Sequence, residues 1–465
     1  MTTNGSTPAQ NGSGKKAPLL LFTAVPADGH FNPVFILAAY MKQKGYDVAF
    51  VTSPTFKAKI EGIGAEYIEM GEILTPETIA KLIETTKLPF SIERLKEEFR
   101  HVLVGTMPDK IEQIEAAMVK VRARDPERQI IFIEDVPNWG LYPYKHGRPL
   151  PAGWTELPKS IGVGITPLFL DGVDTAPILM GMPPDSTPSG RLRNAALLKL
   201  FREGPLKILL DSWVEGLEKV GATDMESAWE EGIFNSWYTA HDSIAQLCSP
   251  SMDYERSDMP PAIEFIGVLA GSPPPADLVY PSWWSDVTEA KKDGKNTRVV
   301  FVTQGTTNPD VSELILPTIN ALADRDDVLV VATLGMRGVS LPEGTLLPAN
   351  VRVIDYFPYD VVLEHVDVFV SNAGYGSFGH AVRNGVPMVL AGQAQEKFEV
   401  AMRAEWAGVG VNLKTQHPTV EQVRDGVDQV LADLRFKKAA VGLKAENEKL
   451  DALAAFERKV KELIL

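Results

Sequence analysis

At 465 residues the chain exceeds the size at which one hydrophobic core keeps growing, so two domains are expected. Its 46 Lys+Arg against 61 Asp+Glu give a formal charge of −15, which repels nucleic acid and anionic membrane and argues against a DNA- or RNA-binding role. A single cysteine, Cys248, excludes an internal disulfide or thiolate cluster, and no apolar stretch reaches the ~20 residues of a spanning helix, so a cytoplasmic protein without a transmembrane segment is expected.

Residues 1–17 are Ser/Thr/Asn/Gly-rich and read as a disordered tail. The apolar run from Leu19 to Phe22 predicts a first strand; its surroundings look like a secretory core, but they lead into Gly29-His30 and a helix with no small-residue cleavage pattern. Residues 33–44 are helix-periodic and stop at Gly45, and 48–51 again read as a strand. Such alternation implies a parallel sheet with helices on both faces. Amphipathic helices are expected between 75 and 124, followed by a strand at 130–133 that ends at Glu134-Asp135, and Leu247-Cys248-Ser249 reads as the end of a further buried strand. Residues 272–296, Pro-rich and then charged, have a linker's composition and separate an N-terminal domain, 18–271, from renewed alternation. Strands are expected there at 298–302, 328–332, 351–354 and 366–370 within a C-terminal domain, 297–435, followed by a helical segment, 436–465.

The most informative stretch is Ser371-Asn372-Ala373-Gly374-Tyr375-Gly376-Ser377, a glycine-rich turn between a strand and a helix that ends at Asn384-Gly385. Such a turn presents backbone N–H groups and a positive dipole end to an anion, most often a phosphate. Residues 374–379 also satisfy G-x-G-x-x-G, but too little chain follows for a dinucleotide domain, and a nucleophile elbow at Ser377 needs glycine where Tyr375 stands. At the other end of the chain, Gly29-His30-Phe31-Asn32-Pro33 follows the first strand. His30 there either caps the helix beginning at Pro33 or acts on a ligand at the strand's carboxyl end.

Two doubly wound units with a nucleotide turn in the second resemble the GT-B glycosyltransferases, two Rossmann-like domains facing across a cleft. The motifs narrow this to the UDP-sugar-dependent family that includes macrolide, plant secondary-metabolite and glucuronosyl enzymes. Val302-Thr303-Gln304-Gly305-Thr306, the 371–377 turn and Gly385-Val386-Pro387 are similar to microbial members, and the likeness is sharpest over 298–413. It implies an inverting transferase moving a sugar, glucose by expectation, from a UDP-sugar to a hydroxyl of a small lipophilic acceptor, with neither metal nor other cofactor. His30 would be the general base and Asp135 its orienting carboxylate; Glu134 would point to the opposite side of the strand, and either acid alternatively lies solvated in a loop. Gln304, Gly305 and Thr306 would meet the diphosphate. Tyr356 would stack on uracil, with the Phe357 amide reading the base edge, or else be a core aromatic.

The 372–377 turn, with Asn372, Gly374, Gly376 and Ser377, would complete the diphosphate site. Compared with the plant signature, Asn372 replaces a histidine, His380 falls on the ribose-binding glutamate, and Glu396 and Lys397 fall on the sugar-reading acid and glutamine. Phe90, Phe99, Met107, Trp139, Trp154 and Phe169 either line the acceptor site or belong to the core. A GT-B sugar-nucleotide epimerase and a non-catalytic sugar-nucleotide-binding partner are the alternative functions, and the second sits poorly with an intact His30 and Asp135.

Overall fold

Strands such as Leu-Leu-Leu-Phe-Thr and Val-Leu-Val-Val-Ala-Thr have no polar face, so sheets made from them must be covered on both sides. The computed structural model describes residues 16–465 except 74, 87, 89, 90, 272, 273, 293–295 and 306–309, and builds two such sheets. The first contains β1 (Leu19–Thr23), β2 (Asp47–Thr52), β3 (Glu66–Glu69), β4 (Ile130–Asp135), β5 (Lys159–Gly164), β6 (Ser243–Gln246) and β7 (Ile263–Phe265), in the order β3-β2-β1-β4-β5-β6-β7. The second contains β8 (Arg298–Thr303), β9 (Val328–Thr333), β10 (Val351–Ile354), β11 (Val368–Ser371), β12 (Met388–Leu390) and β13 (Gly410–Asn412), in the order β10-β9-β8-β11-β12-β13. The pairings among these strands are parallel, with Leu19 beside both Asp47 and Ile130 in the first sheet and Val300 beside Val368 in the second.

Both sheets reverse their winding once, between β1 and β4 and between β8 and β11. Open α/β sheets bind ligands at such reversals, outside the carboxyl ends of the strands. His30 follows β1 and Asp135 ends β4; Gly305 follows β8 and the 372–377 turn follows β11. The topology therefore puts the expected base and the expected diphosphate turn each at its own switch point.

One local expectation is corrected, and two segments are placed in more detail. The first helix is Asp28–Gln43, so it begins five residues before Pro33 and holds His30 in its first turn. Proline is a poor start marker here because, close to a helix N-terminus, its missing N–H removes only one ladder bond. The 272–296 stretch is not free linker throughout: the helix Trp284–Thr288 packs into the second core, with the Trp284 ring 5.2 Å from that of Phe357. The last helix, Ala452–Glu462, returns to the first domain, where Phe456 lies 6.4 Å from Phe22, itself stacked 5.9 Å from Phe50.

A buried charge cluster joins the two halves. Arg403, on the helix Lys397–Trp406, is 1% exposed and bonds Asp253 Oδ1 at 2.9 Å and Glu399 Oε2 at 2.8 Å. The other Glu399 oxygen accepts the amides of Leu179 at 2.8 Å and Gly181 at 3.0 Å, from the loop after β5. Among the described residues no helix is long and apolar enough to cross a membrane.

Candidate active site

On the first domain, the Asp135 carboxylate is completely buried and has both oxygens engaged. Oδ1 accepts the Val25 amide at 2.9 Å, and Oδ2 lies 2.6 Å from His30 Nδ1. A carboxylate at that distance selects the tautomer with the proton on Nδ1, leaving the Nε2 lone pair for a reacting group. The His30 side chain retains 29% of its exposure, so the ring is held from behind and open in front. Neither acid is a solvated loop residue. Glu134 faces the other way, as strand alternation requires, and is completely buried, accepting N–H groups from Gly140 at 2.8 Å, Asn138 at 3.1 Å and Leu141 at 3.3 Å. It thereby fixes the turn after β4. A Cβ at Gly140 would lie 2.6 Å from Glu134 Oε2, so this turn needs glycine there.

On the second domain, Gly305 and Ala373 have φ of +74° and 63°, which turn the chain sharply after β8 and β11. The Asn372 side chain donates to the Gln304 carbonyl and ties these turns together, so one of its hydrogens is committed within the protein. Gly374 caps the helix Tyr375–Asn384, whose first-turn amides at Tyr375, Gly376 and Ser377 are the donors a helix leaves without internal partners. A Cβ built on Gly376 meets nothing within 4 Å, so there is open space on that side of the helix's first turn. Unpartnered amides at a helix N-terminus are the kind of group that can hold an anion. Gly392 packs closely against this turn: a Cβ there would lie 2.2 Å from the Asn372 carbonyl oxygen and 3.1 Å from Lys397 Cβ.

The side chains of other expected donor residues are engaged as follows. The Gln304 side chain does not face a ligand: it is 1% exposed, its Oε1 accepts the Leu314 and Ile315 amides, and its Nε2 donates to the Asp310 carbonyl. It thereby caps the helix Ile315–Ala321. Phe357 buries its ring in the second core, while Tyr356 remains 38% exposed with the Arg337 guanidinium 4.7 Å over its ring. Thr306 lies outside the described residues.

His380 is held through Nδ1 at 2.8 Å by Asp360, which also bonds Arg383 at 2.8 Å. Burial lowers the His380 pKa, so the ring is neutral and can hydrogen-bond a hydroxyl, though not as the glutamate it replaces would. Lys397 is 8% exposed and donates to Gln395 Oε1 at 2.9 Å, while the neighbouring Glu396 is half-buried. Among the described residues, the His30–Asp135 pair makes no hydrogen bond or ion pair with this donor set.

The expected acceptor residues divide between layers. Met107, Trp139 and Phe169 lie in one buried cluster with Val25 and Phe234, and Phe99 packs at its edge. Trp154 belongs to a different cluster with Ile114 and Met118, and Phe90 lies outside the described residues. Cys248 is buried and its thiol pKa is pushed far up by that burial, the state of an inert core thiol. Among the described residues no group of three or more His, Cys, Asp or Glu side chains could hold a metal ion.

Residues 317–453 match the family described as erythromycin biosynthesis protein CIII-like, C-terminal domain. The chain is 34% identical to UDP-glucosyltransferase 1 of Beauveria bassiana, over 94% of this chain and 93% of that one. It is also 34% identical to UDP-glucosyltransferase A1 of Starmerella bombicola, over 96% and 92% of the two chains. Among solved structures, the glycotransferase of kitacinnamycin superposes with a TM-score of 0.68 at 19% identity, covering 97% of this chain and all, 100%, of that one.

Proposed function

The chain belongs to the microbial UDP-glycosyltransferases, enzymes of GT-B fold that transfer a sugar from a UDP-sugar, and on that footing we propose an inverting transfer of glucose to a hydroxyl of a small lipophilic acceptor. The observation that carries this reading is the 2.6 Å contact between His30 Nδ1 and the buried Asp135. It leaves Nε2 to take the acceptor's O–H proton while the oxygen forms its bond to the anomeric carbon. The bond from that carbon to the diphosphate breaks on the opposite face, and its electron pair goes to the leaving oxygen of UDP. The first-turn amides at Tyr375, Gly376 and Ser377 support the developing charge by fixed dipoles, and in this reading no metal is called upon.

A one-step displacement turns an α-linked donor into a β-linked product. Proton NMR of the glucoside formed from UDP-glucose and a simple aliphatic alcohol should show the β anomer, and an α-linked product would sink the inverting reading. Donor choice is read by thermal stabilisation across UDP-, TDP- and GDP-sugars, where a bound nucleotide at 100 times its dissociation constant adds roughly 2.7 kcal/mol.

Glu396 is the acid proposed to accept donor-sugar hydroxyls. Glu396→Ala should then weaken use of UDP-glucose by about 1.5–3 kcal/mol, the value of a hydrogen bond to a charged group. UDP alone should bind nearly as before, because Gly305 and the 374–377 turn belong to other segments. Unchanged kinetics with UDP-glucose would make Glu396 only a helix-entry residue.

A further inference from the structure

Residues 165–187 join β5 to the helix Pro188–Glu203 with no helix or strand between them. An irregular loop of that length inside a compact domain is uncommon and usually functional. It starts at the carboxyl end of β5, where Val163 lies beside Asp135 in the sheet. That is the side on which open α/β sheets bind ligands. Further along, residues 178–182 enter the buried cluster that also contains Val25, whose amide bonds Asp135. Ile178 and Leu179 are buried there, and Met180 stays half-buried against the cluster.

This segment is held from the second domain. Glu399, on the helix Lys397–Trp406, accepts the Leu179 amide at 2.8 Å and the Gly181 amide at 3.0 Å through Oε1, while its Oε2 bonds Arg403 at 2.8 Å. The hold has a purpose, because Leu179 sits at φ 75°, a strained conformation that persists only where its surroundings impose it. Gly181, at φ 57°, lets the loop come close: a Cβ there would lie 3.1 Å from Phe398 Cδ2. Phe398 in turn packs against the first-domain cluster. The helix that carries Phe398 and Glu399 begins directly after Glu396, the acid proposed to read the donor sugar. Its first turn therefore clamps, on the other domain, a loop that packs with Val25.

We propose that Glu399 is a positioning residue for the transfer: it fixes residues 178–182 as the wall between donor sugar and acceptor, and Met180 on that wall sets the breadth of acceptor that fits. The inference rests on the proposed transfer to a lipophilic hydroxyl and on Glu396 as the sugar-reading acid. A thioether suits such a wall, being apolar and adaptable in shape. A plain tie between the domains would weaken donor and acceptor use alike, whereas a wall acts on the acceptor according to its breadth.

The test compares two alcohols, octan-1-ol, which is slender, and decahydronaphthalen-2-ol, which is broad, with UDP-glucose as donor and the full chain as enzyme. Met180→Trp should lower kcat/KM for the broad alcohol about tenfold more than for the slender one, and Met180→Ala should move the ratio the other way. Glu399→Asp keeps the charge that faces Arg403 but falls one methylene short of the loop amides. It should raise the acceptor KM about tenfold and leave the UDP-glucose KM within about twofold of wild type, with faster hydrogen exchange at Leu179 and Gly181. An acceptor ratio unchanged in both Met180 variants overturns the wall. Donor and acceptor KM rising together in Glu399→Asp overturns the positioning role and leaves only an interdomain tie. Should Glu399→Asp not fold, the Met180 variants, which lie outside the ion cluster, decide alone. Wild-type protein that glucosylates neither alcohol sinks the proposed function itself, and this inference with it.

Discussion

Replacing His30 with alanine is expected to lower turnover with an alcohol acceptor by roughly 10²–10⁴-fold, the usual contribution of a positioned general base. UDP binding should be retained, because His30 follows β1 while the proposed nucleotide cradle follows β8 and β11 in the other sheet. The fold should also survive: among the described residues the ring's one polar contact is to Asp135, and its side chain keeps 29% exposure. Rates in a UDP-release assay, with nucleotide affinity measured on the same preparation, separate these effects. Near wild-type transfer to a hydroxyl of ordinary alcohol pKa would refute the dyad. An acidic phenol is a poor acceptor for this purpose, since it needs little help in losing its proton.

Asp135→Asn should lower the same rate, because an amide facing His30 Nδ1 permits the wrong tautomer. The double variant should be little slower than His30→Ala alone, since groups that act as one unit give far from additive losses. Buried Asp135 also accepts the Val25 amide, so some loss of stability accompanies the change. That loss appears in denaturation and leaves the non-additivity of the rates intact.

The sheets were legible because their strands are apolar without interruption, as in Val299 to Val302, all completely buried. Gly385, in the left-handed region at φ 63°, marked a helix end correctly for the same local reason. His30, Asp135 and the 374–377 turn were legible because each lies at the end of a strand, where order along the chain fixes position in space. What local order along the chain does not show is how distant packing engages a side chain. Gln304 follows a strand like a ligand-facing residue, but its side-chain amide is consumed by the helix that starts eleven residues later. Phe357 neighbours the exposed Tyr356 yet enters a core completed by Trp284, more than seventy residues earlier in the chain. Glu399, with Arg403 four residues on, has the spacing of an ordinary charged helix face; only the apposition of the first domain buries the pair.

That apposition makes Arg403 the position of largest expected cost to stability. Its guanidinium is 1% exposed, bonded to Asp253 and Glu399 and 4.5 Å from the Tyr254 ring. Arg403→Met fills much of the volume but strands two buried carboxylates, and removing one partner of a buried ion pair costs about 3–5 kcal/mol. The backbone donors that remain to Glu399, the Leu179 and Gly181 amides, offset only part of this. Leu179 sits at φ 75°, a conformation costly for leucine, so the loop also depends on being held. Urea denaturation should show the loss, and the Leu179 and Gly181 amides should exchange hydrogen faster than in wild type. A decisive contrast is the triple variant with Asp253→Asn and Glu399→Gln added. If stranded charge is the cause, the triple variant should be more stable than Arg403→Met alone, because neutralising the partners removes the penalty. If both variants lose the same amount, the cause is lost packing around Arg403 and the ionic account is wrong.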